Sequence, residues 1–215
     1  MTAALFAAAF LFGSIPTGLL IARLKGVDLR KVGSGNIGAT NVLRAMGKGP
    51  ALATLAGDML KGLLPVMAVR FLLTDMGIRF SEQYFSLPFQ ITNAHVALEG
   101  AVGIAAILGH NFSVFLKFKG GKGVATSLGV ALALSPHAAL MAATIWLFTF
   151  RLSGYSSLGG LLAFASFPLC IYIIDYSPDK IGIAVVMAAL IFITHRGNIK
   201  RLLTGTENRI LRKGK

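Results

Sequence analysis

Three short segments of the chain hold nearly all of its candidates for chemistry. The first runs Gly33-Ser34-Gly35-Asn36-Ile37-Gly38-Ala39-Thr40-Asn41, with Arg44 following. Its glycines and Asn36 suit tight turns, and Ser34 or Asn36 is expected to cap a short helix from about Gly38. A helix start offers free N–H groups and partial positive charge, which suit an anion. On that helix Asn41 and Arg44 are three residues apart and share a face with Thr40. The plainer reading is a polar loop carrying one headgroup-binding arginine.

The second segment is Gly109-His110-Asn111, then Phe115 to Thr126 with Gly120-Gly121-Lys122-Gly123 at its centre. Glycines let backbone N–H groups come close to an anion, and Lys122 adds a point charge, so this turn reads as a phosphate cradle that opens a helix. It is not a nucleotide loop of the Walker A type, because Leu116 and Gly123 stand where that pattern needs Gly and Ser or Thr. His110 and Asn111 fall inside the preceding apolar run, where a buried pair locking helices together competes with catalysis. The third segment is His195-Arg196-Gly197-Asn198-Ile199-Lys200-Arg201. A helix continuing through Gly197 would align His195, Asn198 and Arg201 on one stripe. Asp58 and Lys61, three apart within an apolar run, are expected to form a structural ion pair.

Absent motifs narrow the chemistry. The chain lacks H-E-x-x-H, any Cys/His cluster and a G-x-S-x-G elbow, and no histidine has an acidic residue five positions later. Its single cysteine, Cys170, lies in an apolar run without a motif around it. Carboxylates are scarce around the three segments, which argues against paired-carboxylate hydrolysis and Mg²⁺ sites. Anion-binding turns with Ser34, His195 and Asn198 nearby suit phosphorylated substrates and a transfer without metal or cofactor. A transporter or channel for a phosphorylated anion is the competing reading. It would need polar groups near mid-membrane, where the apolar runs are nearly clean.

The elements that must hold these segments are membrane helices. The chain is 55% hydrophobic and 13% charged, where a soluble domain carries about a quarter charged residues. Leu52 to Leu73, Val96 to Leu116, Leu158 to Ile174 and Ile181 to Thr194 are apolar on nearly every face, and 215 residues cannot bury several such helices in water. Seven apolar segments predict an all-α polytopic membrane protein of about seven helices in a single domain, 1–215. They are 3–23, 51–73, 96–116, 124–135, 137–153, 157–175 and 181–195. Segment 124–135 is short, and Pro136 divides it from the next, so a broken or re-entrant pair is the alternative there.

Charge sets the orientation. Lys25, Arg30, Lys31, Arg44 and Lys48 crowd the 24–50 loop against Asp28 alone. Lys117, Lys119, Lys122, Arg151 and the basic tail (Arg196 to Lys215) share that side. Asp75, Arg79 and Glu82 in the 74–95 loop, with Asp175, Asp179 and Lys180, mark the other. The positive-inside rule then puts the N-terminus outside and the C-terminus in the cytoplasm. The net charge of +13 is explained by that cytoplasmic face and its anionic lipids, without nucleic acid as a partner.

Taken together, S-G-N-x-G-A-T-N-x-x-R at Ser34 to Arg44, G-H-x-F…G-G-K-G-V-A-T at Gly109 to Thr126, and H-x-x-N-x-x-R at His195 to Arg201 resemble the PlsY family. These are the acyl-phosphate-dependent glycerol-3-phosphate acyltransferases of bacterial membranes, and the likeness spans essentially the whole chain. It implies a multi-pass protein of the bacterial inner membrane with its site on the cytoplasmic side. The implied reaction moves a fatty acyl group from acyl phosphate to the 1-hydroxyl of glycerol 3-phosphate, giving lysophosphatidic acid and phosphate. The implied catalytic groups are Ser34, Arg44, His195 and Asn198. The implied phosphate binders are Gly120, Gly121, Lys122 and Gly123, with Asn36 and Asn41 in the first motif placed beside them. Gly205-Thr206-Glu207 is similar to the family's C-terminal element, where the glutamate is structural. A soluble or peripheral enzyme that makes acyl phosphate is the implied supplier.

Overall fold

The computed structural model describes residues 2–74 and 93–210, all helix, turn and loop. The 74–95 loop charges Asp75, Arg79 and Glu82, and the last basic residues Arg212, Lys213 and Lys215, lie outside the described residues.

Each predicted apolar segment carries a helix. The first divides into α1 (Thr2–Gly13) and α2 (Thr17–Leu24), because Pro16 has no N–H to carry the ladder through the junction. A short amphipathic α3 (Ala39–Met46) follows, then α4 (Lys48–Thr74), whose 27 residues span about 40 Å. α5 (Ala94–Asn111) starts under Asn93, whose Oδ1 accepts from the N–H groups of His95 and Val96. A single 3₁₀ turn at Val114–Leu116 continues it. α6 (Val124–Leu134) has only 11 residues and meets α7 (Pro136–Ser153) at Ser135, so the Pro136 boundary falls where the sequence predicts. α8 (Ser156–Ile174) and α9 (Pro178–Thr194) complete the bundle. α10 (Arg196–Leu203) turns away from α9 by 64°. Four helical stretches among the described residues are long and apolar enough to cross a bilayer, and five if α9 and α10 count as one span.

Small residues let the helices approach closely, as membrane bundles require. A Cβ on Gly13 would lie 2.1 Å from the Ala106 carbonyl oxygen, and one on Gly109 would lie 2.0 Å from that of Phe10, so α1 and α5 meet nearly backbone to backbone. Gly62 against Thr126 and Gly129 against Met59 do the same for α4 and α6. The core gathers Val130, Phe164, Phe167, Met187 and Ile191 between α6, α8 and α9. Outside it Leu52, Phe71, Leu140, Phe148, Leu169 and Ile193 are exposed, a surface that fits lipid and not water.

The junctions differ between the two ends of the bundle. At one end α6–α7 and α8–α9 turn within a few residues. At the other, the stretches 25–47, 112–123, 154–155 and 195–210 come together, and these contain the first and third motifs and the glycine turn of the second.

Candidate functional site

A cavity of about 220 Å³ opens among those loops. Its polar part is lined by Ser34, Asn36, Asn41, Arg44, Lys122, Gly123, His195, Asn198, Arg201 and Glu207. Inward it becomes apolar, between Leu55, Leu128, Ala142, Trp146 and Phe164. Three motifs far apart in sequence therefore share one wall.

The first motif is a loop wound around one side chain. Gly33 (φ +59°) and Gly35 (φ +67°) adopt left-handed backbone, and a Cβ on Gly33 would also collide with Asn41 Oδ1. Asn41 is 1% exposed. Its Oδ1 accepts from the Ser34 N–H, while its Nδ2 donates to the carbonyls of Leu29, Val32 and Asn36. With both ends committed, Asn41 holds the loop's shape, so direct capture of a phosphate by its side chain is not what the geometry offers. The expected cap also moves. Gly38 is the N-cap of α3, and Asn36 Oδ1 accepts the Gly38 N–H in the turn before it. Ser34 is thereby left exposed on the cavity wall instead of being spent as a cap.

Arg44 is half-buried at the mouth, and its Nη2 donates to the Asn208 carbonyl at 3.1 Å. Burial lowers its pKa, against the opposing charge of Glu207. Lys122 is pushed down to about 8, chiefly by burial; Glu207 opposes that shift, and the charges of Arg201 and Arg44 add to it. Among the described residues neither Arg44 nor Lys122 has a carboxylate within 4.0 Å.

The glycine turn has a division of labour that the sequence does not predict. The N–H groups of Gly120 and Gly121 donate to the carbonyls of Asn111 and His110, so neither is available to an anion. The N–H groups that lack a helical partner are instead the first ones of α6, beyond its N-cap Gly123 (φ +83°), with Gly123, Val124 and Ala125 on the cavity wall.

At the third motif the helix does not run straight through. His195 caps α9 and starts α10, so the expected stripe is bent. All three residues still reach the cavity, with Glu207 bonded to two of them. The His195 Nδ1 lies 2.9 Å from the Ile191 carbonyl and must donate to it, which leaves Nε2 as an acceptor. Glu207 is a hub whose side chain is 7% exposed. Its Oε1 accepts from Ser157 Oγ at 2.8 Å and Asn198 Nδ2 at 2.6 Å, and its Oε2 accepts from Arg201 Nε at 2.7 Å. Burial alone would raise its carboxyl, but those three hydrogen bonds and the Arg201 charge hold it below the usual carboxylate range. The tail that delivers it is strapped down, with Arg209 over the Tyr155 ring and the Ile210 N–H on the Gly154 carbonyl.

Sequence reasoning passed over several wall residues. Ser156 and Ser157 open α8, a polar pair at a helix start that was a usable signal, and Ser156 Oγ lies 3.2 Å from Thr40 Oγ1. Asp58 and His110 also reach the wall. Asp58 forms the expected ion pair with Lys61, 2.9 Å apart. No group of three His, Cys, Asp or Glu suited to a metal occurs among the described residues.

Residues 3–205 match the family model described as glycerol-3-phosphate acyltransferase. The glycerol-3-phosphate acyltransferase of Geobacter sulfurreducens is 45% identical over 205 residues, covering 95% of each chain. That of Thermus thermophilus is 46% identical over 214 residues, covering 98% of this chain and 96% of the relative. Among solved structures, the glycerol 3-phosphate form of PlsY, an integral membrane glycerol 3-phosphate acyltransferase, superimposes with a TM-score of 0.83 at 40% identity, over 98% of this chain and 96% of that one. Its lysophosphatidic acid form gives 0.81 at 39% identity, over 97% and 94%.

Proposed function

The chain belongs to the glycerol-3-phosphate acyltransferase family, and we propose that it moves a fatty acyl group from acyl phosphate to the 1-hydroxyl of glycerol 3-phosphate, giving lysophosphatidic acid and inorganic phosphate. The observation that carries this reading is one cavity whose wall combines two cations without ion-pair partners among the described residues and apolar side chains from α4, α6, α7 and α8. Phosphate heads suit the first, and a fatty acyl chain suits the second. The whole chain, 1–215, acts as one domain of the bacterial inner membrane, with the cavity toward the cytoplasm, where both water-borne phosphates and an enzyme supplying acyl phosphate would be found.

Acyl phosphate is a mixed anhydride with a good leaving group, so positioning and charge stabilisation can supply most of the rate. Arg44 holds the glycerol 3-phosphate phosphate. Lys122 and the first N–H groups of α6 hold the phosphate of the donor. Ser34 and Asn198 orient the hydroxyl and the carbonyl, Asn198 being aimed by its bond to Glu207. The hydroxyl oxygen forms a bond to the acyl carbon, and the bond from that carbon to the phosphate oxygen breaks, its electron pair leaving with phosphate. The hydroxyl hydrogen-bonds to His195 Nε2, and its proton ends on the departing phosphate.

The direct test is phosphate release by the purified protein in lipid, with palmitoyl phosphate and with or without glycerol 3-phosphate. Release that depends on glycerol 3-phosphate, matched by lysophosphatidic acid and untouched by EDTA, supports the reading. Acylation from a thioester donor alone would overturn the donor assignment. No turnover, with flux of phosphate anions into liposomes, would favour the transporter reading.

A further inference from the structure

We propose that His110 and Asn111 are positioning residues that fix Lys122 in the cavity, with the buried Asp58–Lys61 pair as their foundation. This rests on the reading of Lys122 as a phosphate ligand.

The two residues are consecutive at the C-terminal end of α5, where helix carbonyls lack intrahelical partners. The turn supplies those partners. Gly121 N–H donates to the His110 carbonyl at 3.0 Å, and Gly120 N–H to the Asn111 carbonyl at 3.1 Å. The side chains then hold the glycines on either side of the lysine. A Cβ on Gly121 would sit 2.1 Å from His110 Nε2, and one on Gly123 would sit 2.6 Å from Asn111 Oδ1. Lys122 is thus set between two glycines, each seated on one of these side chains. From α9, Thr194 Oγ1 lies 3.0 Å from the Lys122 carbonyl and shares its one hydrogen among that carbonyl and those of Leu190 and Ile191. The turn that carries Lys122 is thus tied to α5 through Gly120 and Gly121 and to α9 through Thr194.

Beneath the turn, both residues are 4% exposed. His110 Nδ1 lies 3.7 Å from Asp58 Oδ1. Asp58 is held by Lys61 and by Thr17 Oγ1, and Lys61 Nζ also donates to the Ile15 carbonyl, at the break between α1 and α2. Asp58 and Lys61 are each 3% exposed. Burying this much polarity is costly unless the geometry is needed, and the pair meets the cavity wall at Asp58, beside His110.

The test is a double-mutant cycle on phosphate release. Gly121→Ala should lower kcat/KM on the order of 100-fold, the loss that a displacement of about 1 Å can cause. His110→Ala should cost less. The double variant His110→Ala/Gly121→Ala should recover part of the Gly121→Ala loss, because the clash is gone. The loss should fall on KM for acyl phosphate more than on KM for glycerol 3-phosphate, a split that general loss of fold would not produce. Asn111→Asp, close in shape, keeps the test open should His110→Ala fail to fold. It should weaken the donor site by placing negative charge beside Gly123. Additive effects of His110 and Gly121, or equal effects on both KM values, would overturn the proposal. Lys122→Ala distinguishes this from failure of the underlying reading. If Lys122→Ala leaves KM for acyl phosphate unchanged, the phosphate assignment itself is wrong.

Discussion

At the end of the bundle away from the cavity, Arg70 is clasped by Glu99, and Lys180 by Asp175 at 2.9 Å. At the cavity end Asp58 is spent on Lys61 and Glu207 on Arg201, while Arg44 and Lys122 face the cavity with no ion pair among the described residues. The contrast extends to the backbone. Among the described junctions, the far end turns at Pro136 and Pro178, with Tyr176 (φ +48°) left-handed, whereas the cavity end uses left-handed glycines at 33, 35, 123 and 154. Among the described residues, one end pairs its basic side chains Arg70 and Lys180 internally. The other keeps cations and helix N–H groups in reserve, which costs stability unless an anion arrives to use them. Position in the bundle, more than residue type, decides whether a basic side chain here is structural or functional.

Removing a reserved cation should have the largest effect. Arg44→Ala or Lys122→Ala is expected to lower kcat/KM by roughly 100- to 1000-fold, the scale for loss of one charge-stabilising donor. Thermal unfolding should move little, since neither side chain holds an ion pair. A large drop in stability with intact kinetics would erase the distinction between the two ends.

A pH profile sharpens the same point. With its pKa lowered to about 8, Lys122 is cationic below that value and loses its charge as pH rises through it. The free-enzyme parameter kcat/KM for acyl phosphate should therefore fall above about pH 8. Lys122→Arg should move that limb to higher pH, because a guanidinium stays charged there.

Glu207→Gln tests a cavity-end charge that does have a partner. Loss of the carboxylate removes the anchor of Arg201 and weakens the aim of Asn198. Stability should fall by roughly 2 kcal/mol and activity by about tenfold, as charge-assisted hydrogen bonds allow. Faster proteolysis near Thr204–Ile210 would report release of the strap.

Arg70→Ala at the far end should have the smallest effect on catalysis. A stability loss of about 1–2 kcal/mol is expected, between an exposed and a buried pair, with kcat/KM unchanged. Detergent-solubilised melting alongside the phosphate-release assay separates the two.

Much of this was legible in the residues. Apolar runs set the helices, Pro136 marked a boundary, and the Asp58–Lys61 spacing predicted its pair. The three motifs point to anion binding before any helix is placed. What was not legible depends on contacts across the chain. Nothing local to Gly120 and Gly121 says that their N–H groups will be taken by the end of α5. Asn41 looks like a site residue until the loop closes around it, and nothing local to His195 shows the bend there or the tail that brings Glu207 to α10. Ser156 and Ser157 could have been read as wall residues from their place at a helix start.

The central claim, that the unpaired cations of the cavity end are held for phosphate, is tested most directly by equilibrium binding of labelled glycerol 3-phosphate to the protein in lipid nanodiscs. The account predicts that Arg44→Ala weakens binding by about tenfold or more while Arg70→Ala leaves it unchanged, tenfold being about 1.4 kcal/mol. Equal binding by the wild-type protein and Arg44→Ala would contradict it.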